Sequence, residues 1–174
     1  MSKVLFLDID GVLNSNFWND RHQAEISDGT LIDEEKIKLL ALLIRETNAE
    51  IILHSGWRFW FDAELKPLCT EAGKLVEQLE KKHLYISGVT PDQTTEEIRK
   101  TKKFSLVKAD EILLWIKLHD DVTEWVVLDD LDLHNDQISQ HQVKPDQTIG
   151  LTLENVRQAV GILLEKNHIF EKGW

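Results

Sequence analysis

A chain of 174 residues with 31 acidic against 20 basic side chains carries a formal charge of −11, which argues against a general nucleic-acid or acidic-membrane binder, since either needs a basic face. Hydrophobic residues at 42% supply one real core without a disordered bias, so a single domain over 1–174 is expected. The lone Cys69 can form no internal disulfide, and no apolar stretch reaches the roughly 18 residues of a spanning helix, so a reducing, cytoplasmic setting and no membrane contact are expected.

Taken in order, Lys3-Val-Leu-Phe-Leu-Asp8 predicts a buried strand over about 3–8; Asp8 and Asp10 interrupt it too soon for a secretion signal. Residues 14–32 lack a sustained period and read as a loop or short hairpin flap. Asp33 is placed to cap a helix over 34–46, where Ile37, Leu40, Leu43 and Ile44 keep helical spacing. A second strand over 49–53 runs straight into His54-Ser55-Gly56-Trp57-Arg58. A helical stretch follows over about 62–82, limited by Pro67, then a third strand at Leu84-Tyr85-Ile86. Residues 88–105 are polar and irregular, and 106–118 form an amphipathic helix with Lys108 near its start. A strand over 124–128 ends on Asp129-Asp130, Thr148-Ile149 reads as a last short strand closed by Gly150, and Thr152 caps a terminal helix. This alternation predicts an α/β fold: a three-layer sandwich around a mainly parallel, Rossmann-like sheet.

Polar groups recur at one place in that architecture. The first strand ends on Asp8 and Asp10, the second on Ser55, the later one on Asp129 and Asp130. Ligands of parallel α/β sheets bind beyond the carboxyl ends of the strands, so residues distant in sequence should share a pocket. Carboxylates gathered there repel unless a cation lies among them; hard divalent ions such as magnesium choose oxygen ligands and leave positions for phosphate. Lys108, entering from a helix start, would offset part of the charge; Lys102 and Lys103 are the alternatives for that task.

The set Asp8-Ile-Asp10-Gly11-Val-Leu, Ser55 after an apolar strand, Lys108 before a helix and Leu128-Asp129-Asp130 resembles the four motifs of the haloacid dehalogenase (HAD) superfamily of phosphohydrolases, in order over nearly the whole chain. The resemblance implies a phosphatase in which Asp8 is the nucleophile and forms a phospho-aspartyl intermediate, while Asp10 protonates the leaving group and then activates water. Ser55, with Gly11 and Gly56 beside it, would bind the phosphoryl oxygens, and Lys108 would steady Asp8 and the phosphate. Magnesium would be held by Asp8, the main-chain carbonyl of Asp10, and Asp129 with or without Asp130. An acid at the position of Asp10 favours phosphate esters over halides, whose leaving group needs no proton.

Other readings compete at single residues. Asp8 and Asp10 could cap a turn, Asp129 and Asp130 could be turn acids, and Ser55 could serve only as a helix cap. Arg58 could grip a substrate phosphate by forked hydrogen bonds or sit in a surface salt bridge. His54 reads as a hydrogen-bonded core histidine, the aromatic burst Trp57, Phe59, Trp60, Phe61 as core or as a base-stacking wall, and the basic run 99–103 as a solvated loop or a binding groove.

The short segments 14–32 and about 85–107 leave no room for a full substrate-selecting cap, so the site should be open, as suits a large substrate or a terminal phosphate on a polymer. Asp8-Ile-Asp10-Gly-Val-Leu-Asn14, His54-Ser-Gly-Trp-Arg58, Val127-Leu-Asp-Asp130 and Ile149-Gly-Leu-Thr152 are similar to the phosphatase-like domains associated with RNA-repair and polynucleotide end-processing proteins, which makes a nucleic-acid end the candidate substrate. A small phosphomonoester such as a nucleotide is the alternative, favoured by the −11 charge. A receiver-type or non-catalytic phosphate-binding module is the third reading, and nothing in the pattern calls for an obligate protein partner.

Overall fold

The computed structural model describes residues 2–171, with side chains through Leu164; residue 1 and residues 172–174 of the expected 1–174 domain lie outside the described residues. Five parallel strands form one sheet in the order β3-β2-β1-β4-β5: β1 (Ser2–Leu7), β2 (Glu50–Leu53), β3 (Ile86–Val89), β4 (Val122–Leu128) and β5 (Gln142–Val143). This is the α/β, Rossmann-like sandwich expected. The order also departs from the 2-1-3-4-5 sheet of receiver domains, which removes the structural basis of that reading.

The central strand β1 is apolar at every position from Val4 to Leu7 because both of its faces are covered. Leu5 and Leu7 point into a core with Leu40 and Leu43 of α3 (Glu34–Thr47), Leu75 of α4 (Thr70–Glu80) and Leu163 of α8 (Leu153–Glu171). Val4 and Phe6 point the other way, onto Ile112 and Trp115 of α6 (Ser105–Lys117), with the Phe6 ring edge-on to Trp115 at 5.4 Å. Two independent cores thus clamp β1, and each fully buried side chain contributes about 1.5–3 kcal/mol.

Five expectations of local structure are corrected. Segment 14–32 is not a loop or hairpin but two short helices, α1 (Asn16–Arg21), capped by the Ser15 hydroxyl, and α2 (Gln23–Ser27); neither has a buried residue, so no apolar period marks them. The helix expected from 62 starts at Thr70, because Asp62 draws the amides of Glu64 and Lys66 into a turn and Phe61 bridges to Pro67. The third strand is displaced to Ile86–Val89, and the segment after it holds α5 (Glu96–Thr101) with Thr95 as its cap. Thr148-Ile149 is not a strand but a turn gathered on the Asp146 carboxylate; the last strand is the two-residue β5, after α7 (Asp136–Ser139).

Strand order and register together position the site. The chain winds outward from β1 through β2 to β3, then crosses back to lay β4 on the other side of β1, opening a crevice at the carboxyl ends of β1 and β4. Leu7 pairs with Leu53 on one side and Leu128 on the other. The next residue on each strand is therefore level with the others: Asp8, His54 and Asp129.

Candidate active site

Where the strands end, backbone geometry turns from extended to tight. Gly11 adopts φ +80°, and a Cβ there would lie 2.7 Å from the Asp130 carboxyl carbon, so only glycine lets the β1 loop pass beside the β4 loop. The β2 loop enters a 3₁₀ turn, Gly56–Trp60, capped by Ser55, whose Oγ accepts from the Trp57 amide. Asp8, Asp10, Gly11, Ser55, Gly56, Lys108 and Asp130 all line one cavity of about 680 Å³, with Asn14, Asn16 and Asn19 from the segment after β1.

At the floor of this cavity the groups are buried and charged. Lys108 Nζ lies 3.5 Å from Asp8 Oδ2 and donates to Asp129 Oδ2 at 2.7 Å. Of Lys102, Lys103 and Lys108, only Lys108 makes these contacts; Lys102 and Lys103 are exposed, Lys102 at the cavity's lining. His54, fully buried, puts its Nε2 2.8 Å from the same Asp129 oxygen, and the Leu131 amide donates to Asp129 Oδ1. Asp129 thus holds Lys108 from behind, while Asp130 faces the cavity.

Burial, and after it the Asp129 carboxylate, pushes Asp8 up to about 6 against the pull of Lys108 and His54. Asp130 is raised by burial and by Asp129. For Asp129, burial works upward, but the hydrogen bonds from His54 and Lys108 win and hold it well below the usual carboxylate range. Burial likewise opposes the charged form of Lys108, yet Asp8 and Asp129 outweigh it and hold the ammonium above its usual value.

Asp8, His54 and Asp129 bring potential ligand atoms within 4.8 Å of one another, though His54 Nε2 is already committed to Asp129. Three carboxylates, Asp8, Asp10 and Asp130, line the cavity with Asp129 behind them, against Lys108 at the floor and Lys102 at the lining. This excess of carboxylate oxygens over ammonium groups fits a hard divalent cation.

Asp10 is held differently. Asn14 Nδ2 donates to its Oδ1 at 2.9 Å and Trp57 Nε1 to its Oδ2 at 3.1 Å, while Asn14 Oδ1 accepts from the Gly11 amide. The sequence shows Asn14 as the end of the first motif and Trp57 as core or stacking wall, but neither as a partner of Asp10; the available signal is an amide four residues after Asp10 and an indole two after Ser55.

Arg58 departs from its expected place on the substrate. Its guanidinium is buried and turned inward, donating to the carbonyls of His54 and Ser55 and pairing with Glu111 of α6 at 2.8 Å; Glu111 in turn accepts from the Gln93 amide. The positive charge is consumed in fixing the Ser55 loop to the helix that carries Lys108. Burial raises Glu111, in keeping with an acid held in the interior.

A parallel sheet with an acidic cavity at the crossover beside its central strand defines a Rossmann-like α/β domain. The chain belongs to the family of the HAD domain in Swiss Army Knife RNA repair proteins, whose family model matches residues 4–156. Among curated proteins and among solved structures, none matches the chain. The membership suggests phosphatase-type activity on a phosphorylated substrate, and the buried acidic cluster is the feature a divalent metal would use. No described helix is long and apolar enough to cross a membrane.

Proposed function

We propose that this chain is a magnesium-dependent phosphatase that removes a terminal phosphate through a phospho-aspartyl intermediate on Asp8. The observation that carries the reading is the convergence of Asp8, Asp10, Ser55, Lys108 and Asp130 on one cavity. Asp8, the Asp10 carbonyl and Asp130 would hold the ion, with Asp129 behind them as the anchor of Lys108. Bound there, magnesium supplies neutralisation of the negative charge on the phosphoryl group and on its nucleophile.

The protein's own groups account for the rest. Lys108, Ser55 and the Gly56 amide bind phosphoryl oxygens and set them in line with Asp8. An Asp8 oxygen attacks phosphorus as the ester P–O bond breaks, and the departing oxygen takes its proton from Asp10. Both groups holding Asp10, the Asn14 amide and the Trp57 indole, are donors, so neither can accept that proton; it is left for the cavity. Asp10, now a carboxylate, takes a proton from water, whose oxygen attacks phosphorus, and inorganic phosphate leaves Asp8 restored.

The family and the open cavity support a nucleic-acid end as substrate; a cytoplasmic setting is the reading that the lone Cys69 supports. The −11 charge favours recognition confined to the terminal nucleotide, and so also supports a free nucleotide as the second reading. A screen of mononucleotides, sugar phosphates and oligonucleotides with 3′- or 5′-terminal phosphates, with Asp8→Asn as the blank, tests this. Asp8-dependent, magnesium-dependent release of phosphate is expected, fastest from a nucleotide end; release that persists in Asp8→Asn overturns the mechanism.

A further inference from the structure

The phosphate site occupies only the floor of the cavity. Attacking and leaving oxygens lie in line across phosphorus, so the organic part of the ester must depart on the side of Asp10. That side is aromatic. Trp57, which donates to Asp10, packs against Trp60 with ring centroids 4.7 Å apart, and Trp60 lines the cavity while 37% exposed. From the segment between α5 and α6, Phe104 lines the same cavity at 46% exposure, and Lys102 lies beside it in the left-handed conformation. Lys102 makes no ion pair among the described residues.

Two exposed aromatic rings over a carboxylate-rich floor gain little from glycerol phosphate, and only C–H contacts from a sugar phosphate. A nucleobase offers each a π-face, and stacking is indifferent to base identity. The charge points the same way: a net −11 is ill suited to holding a long polyanion by counterion release, which gives more weight to a contact that salt does not screen. Asn19 adds a polar element, since it lines the cavity and its side-chain oxygen is shielded from solvent without a hydrogen-bond partner among the described residues.

We propose that Trp60 and Phe104 form a seat for the nucleobase of the terminal nucleotide, with Lys102 available to the next phosphate along the strand. The proposal deepens the phosphatase reading and rests on it for the position of the phosphate. It makes the base of the last nucleotide, rather than a length of backbone, the feature that distinguishes a substrate from a generic phosphate ester.

The test measures binding, apart from turnover. Asp8→Asn protein in magnesium buffer is titrated with labelled short oligonucleotides whose phosphorylated terminal nucleotide carries a base or is abasic, with 3′- and 5′-phosphates run separately. At the end that binds, the base-bearing ligand should bind about tenfold tighter, a ratio that persists as salt is raised from 50 to 300 mM on the order of the ranges that abolish backbone binding. Adding Trp60→Ala or Phe104→Ala should bring the ratio to within about twofold of unity, whereas Trp60→Phe, which keeps a ring against Trp57, should retain most of it. Phe104 is exposed, so its variant separates loss of the seat from loss of the fold.

Equal binding of base-bearing and abasic ends overturns the seat, as does a ratio that survives both alanine variants. Phosphate release by the wild-type chain from the same base-bearing oligonucleotides, against the Asp8→Asn blank, addresses the phosphatase reading separately. If no phosphate is released and the base ratio holds, the phosphatase reading falls and the seat stands; if phosphate is released and the ratio is one, the reverse is true.

Discussion

Asp8 and Asp10 stand two residues apart in one loop, yet their surroundings are opposite in kind. Asp8 sits among charges, with Lys108, Asp129 and Asp130 around it and His54 behind, and burial drives it upward to about 6. Asp10 sits among neutral donors, the Asn14 amide and the Trp57 indole, one on each carboxyl oxygen. The difference matches the two tasks proposed for them. A nucleophile that must attack an anion needs counter-charge, whereas a group that gives up and regains a proton needs orientation that does not depend on its charge. The charged half of the site is therefore where metal, pH and ion pairing should act, and the neutral half is where leaving-group chemistry should act.

The largest effect expected lies at Asp8. Asp8→Asn should reduce phosphate release at least about a thousandfold, because no other carboxylate faces phosphorus from that position. The same variant should be more stable than the wild type in metal-free buffer at pH 7.5. The sign follows from the raised value: between the ordinary carboxylate range and about 6 the folded chain binds the Asp8 proton more tightly than the unfolded chain, so stability falls as pH rises through that window. A neutral Asn removes that cost, by about 1–3 kcal/mol or a few degrees in Tm, and the gain should vanish below about pH 4. A Tm lowered at pH 7.5 would mean that Lys108 already balances Asp8 without a cation.

Next in size is Arg58, which belongs to the charged half although it never reaches the cavity. Arg58→Met leaves the Glu111 carboxylate buried without a counter-charge, and should cost about 3–5 kcal/mol with a matching fall in Tm. Arg58→Met combined with Glu111→Leu should regain much of this, less the hydrogen bond that Glu111 accepts from Gln93. If the double variant is no more stable than the single, the pair is not what fixes the Ser55 loop to α6.

The contrast between Arg58 and the acids also shows what a sequence can disclose. A strand buried on both faces must be an uninterrupted apolar run, so β1, β2 and β4 announce themselves, and the polar residues that end them announce the site. Register does the rest, since Leu7, Leu53 and Leu128 are level. Arg58 reads as a phosphate ligand because it follows Ser55 by three residues, while the partner that claims it lies 53 residues away and only the packing of α6 brings it near. The helices α1 and α2 and the strand β5 escape for a different reason: with no buried residue, or only two residues in all, they leave no period to detect. The Trp57 indole is legible as an aromatic but not as a donor, because nothing in an aromatic burst says which ring turns its N–H toward an acid.

Magnesium should sharpen the contrast at intermediate size. With the ion limiting, the acidic limb of kcat/KM should fall near pH 6, where Asp8 loses its proton. Raising magnesium stabilises the carboxylate and should move that limb downward by about one unit or more. A limb that stays fixed across magnesium concentrations separates the ion from Asp8 and assigns the titration elsewhere.

The smallest effect is expected in the neutral half, and it is the most discriminating. Trp57→Phe deletes the indole N–H on Asp10 and keeps an aromatic ring against Trp60. Asp10 then has Asn14 on one oxygen and nothing on the other, so its carboxyl can rotate away from the leaving group. An alkyl phosphate, whose alkoxide must be protonated as it leaves, should lose about tenfold in kcat. p-Nitrophenyl phosphate, whose phenolate leaves without help, should change by less than about twofold, because its first step does not use the proton that Asp10 holds. If both substrates slow by the same factor, Trp57 acts by packing alone, and the division between a charged nucleophile side and a neutral proton-transfer side loses its main support.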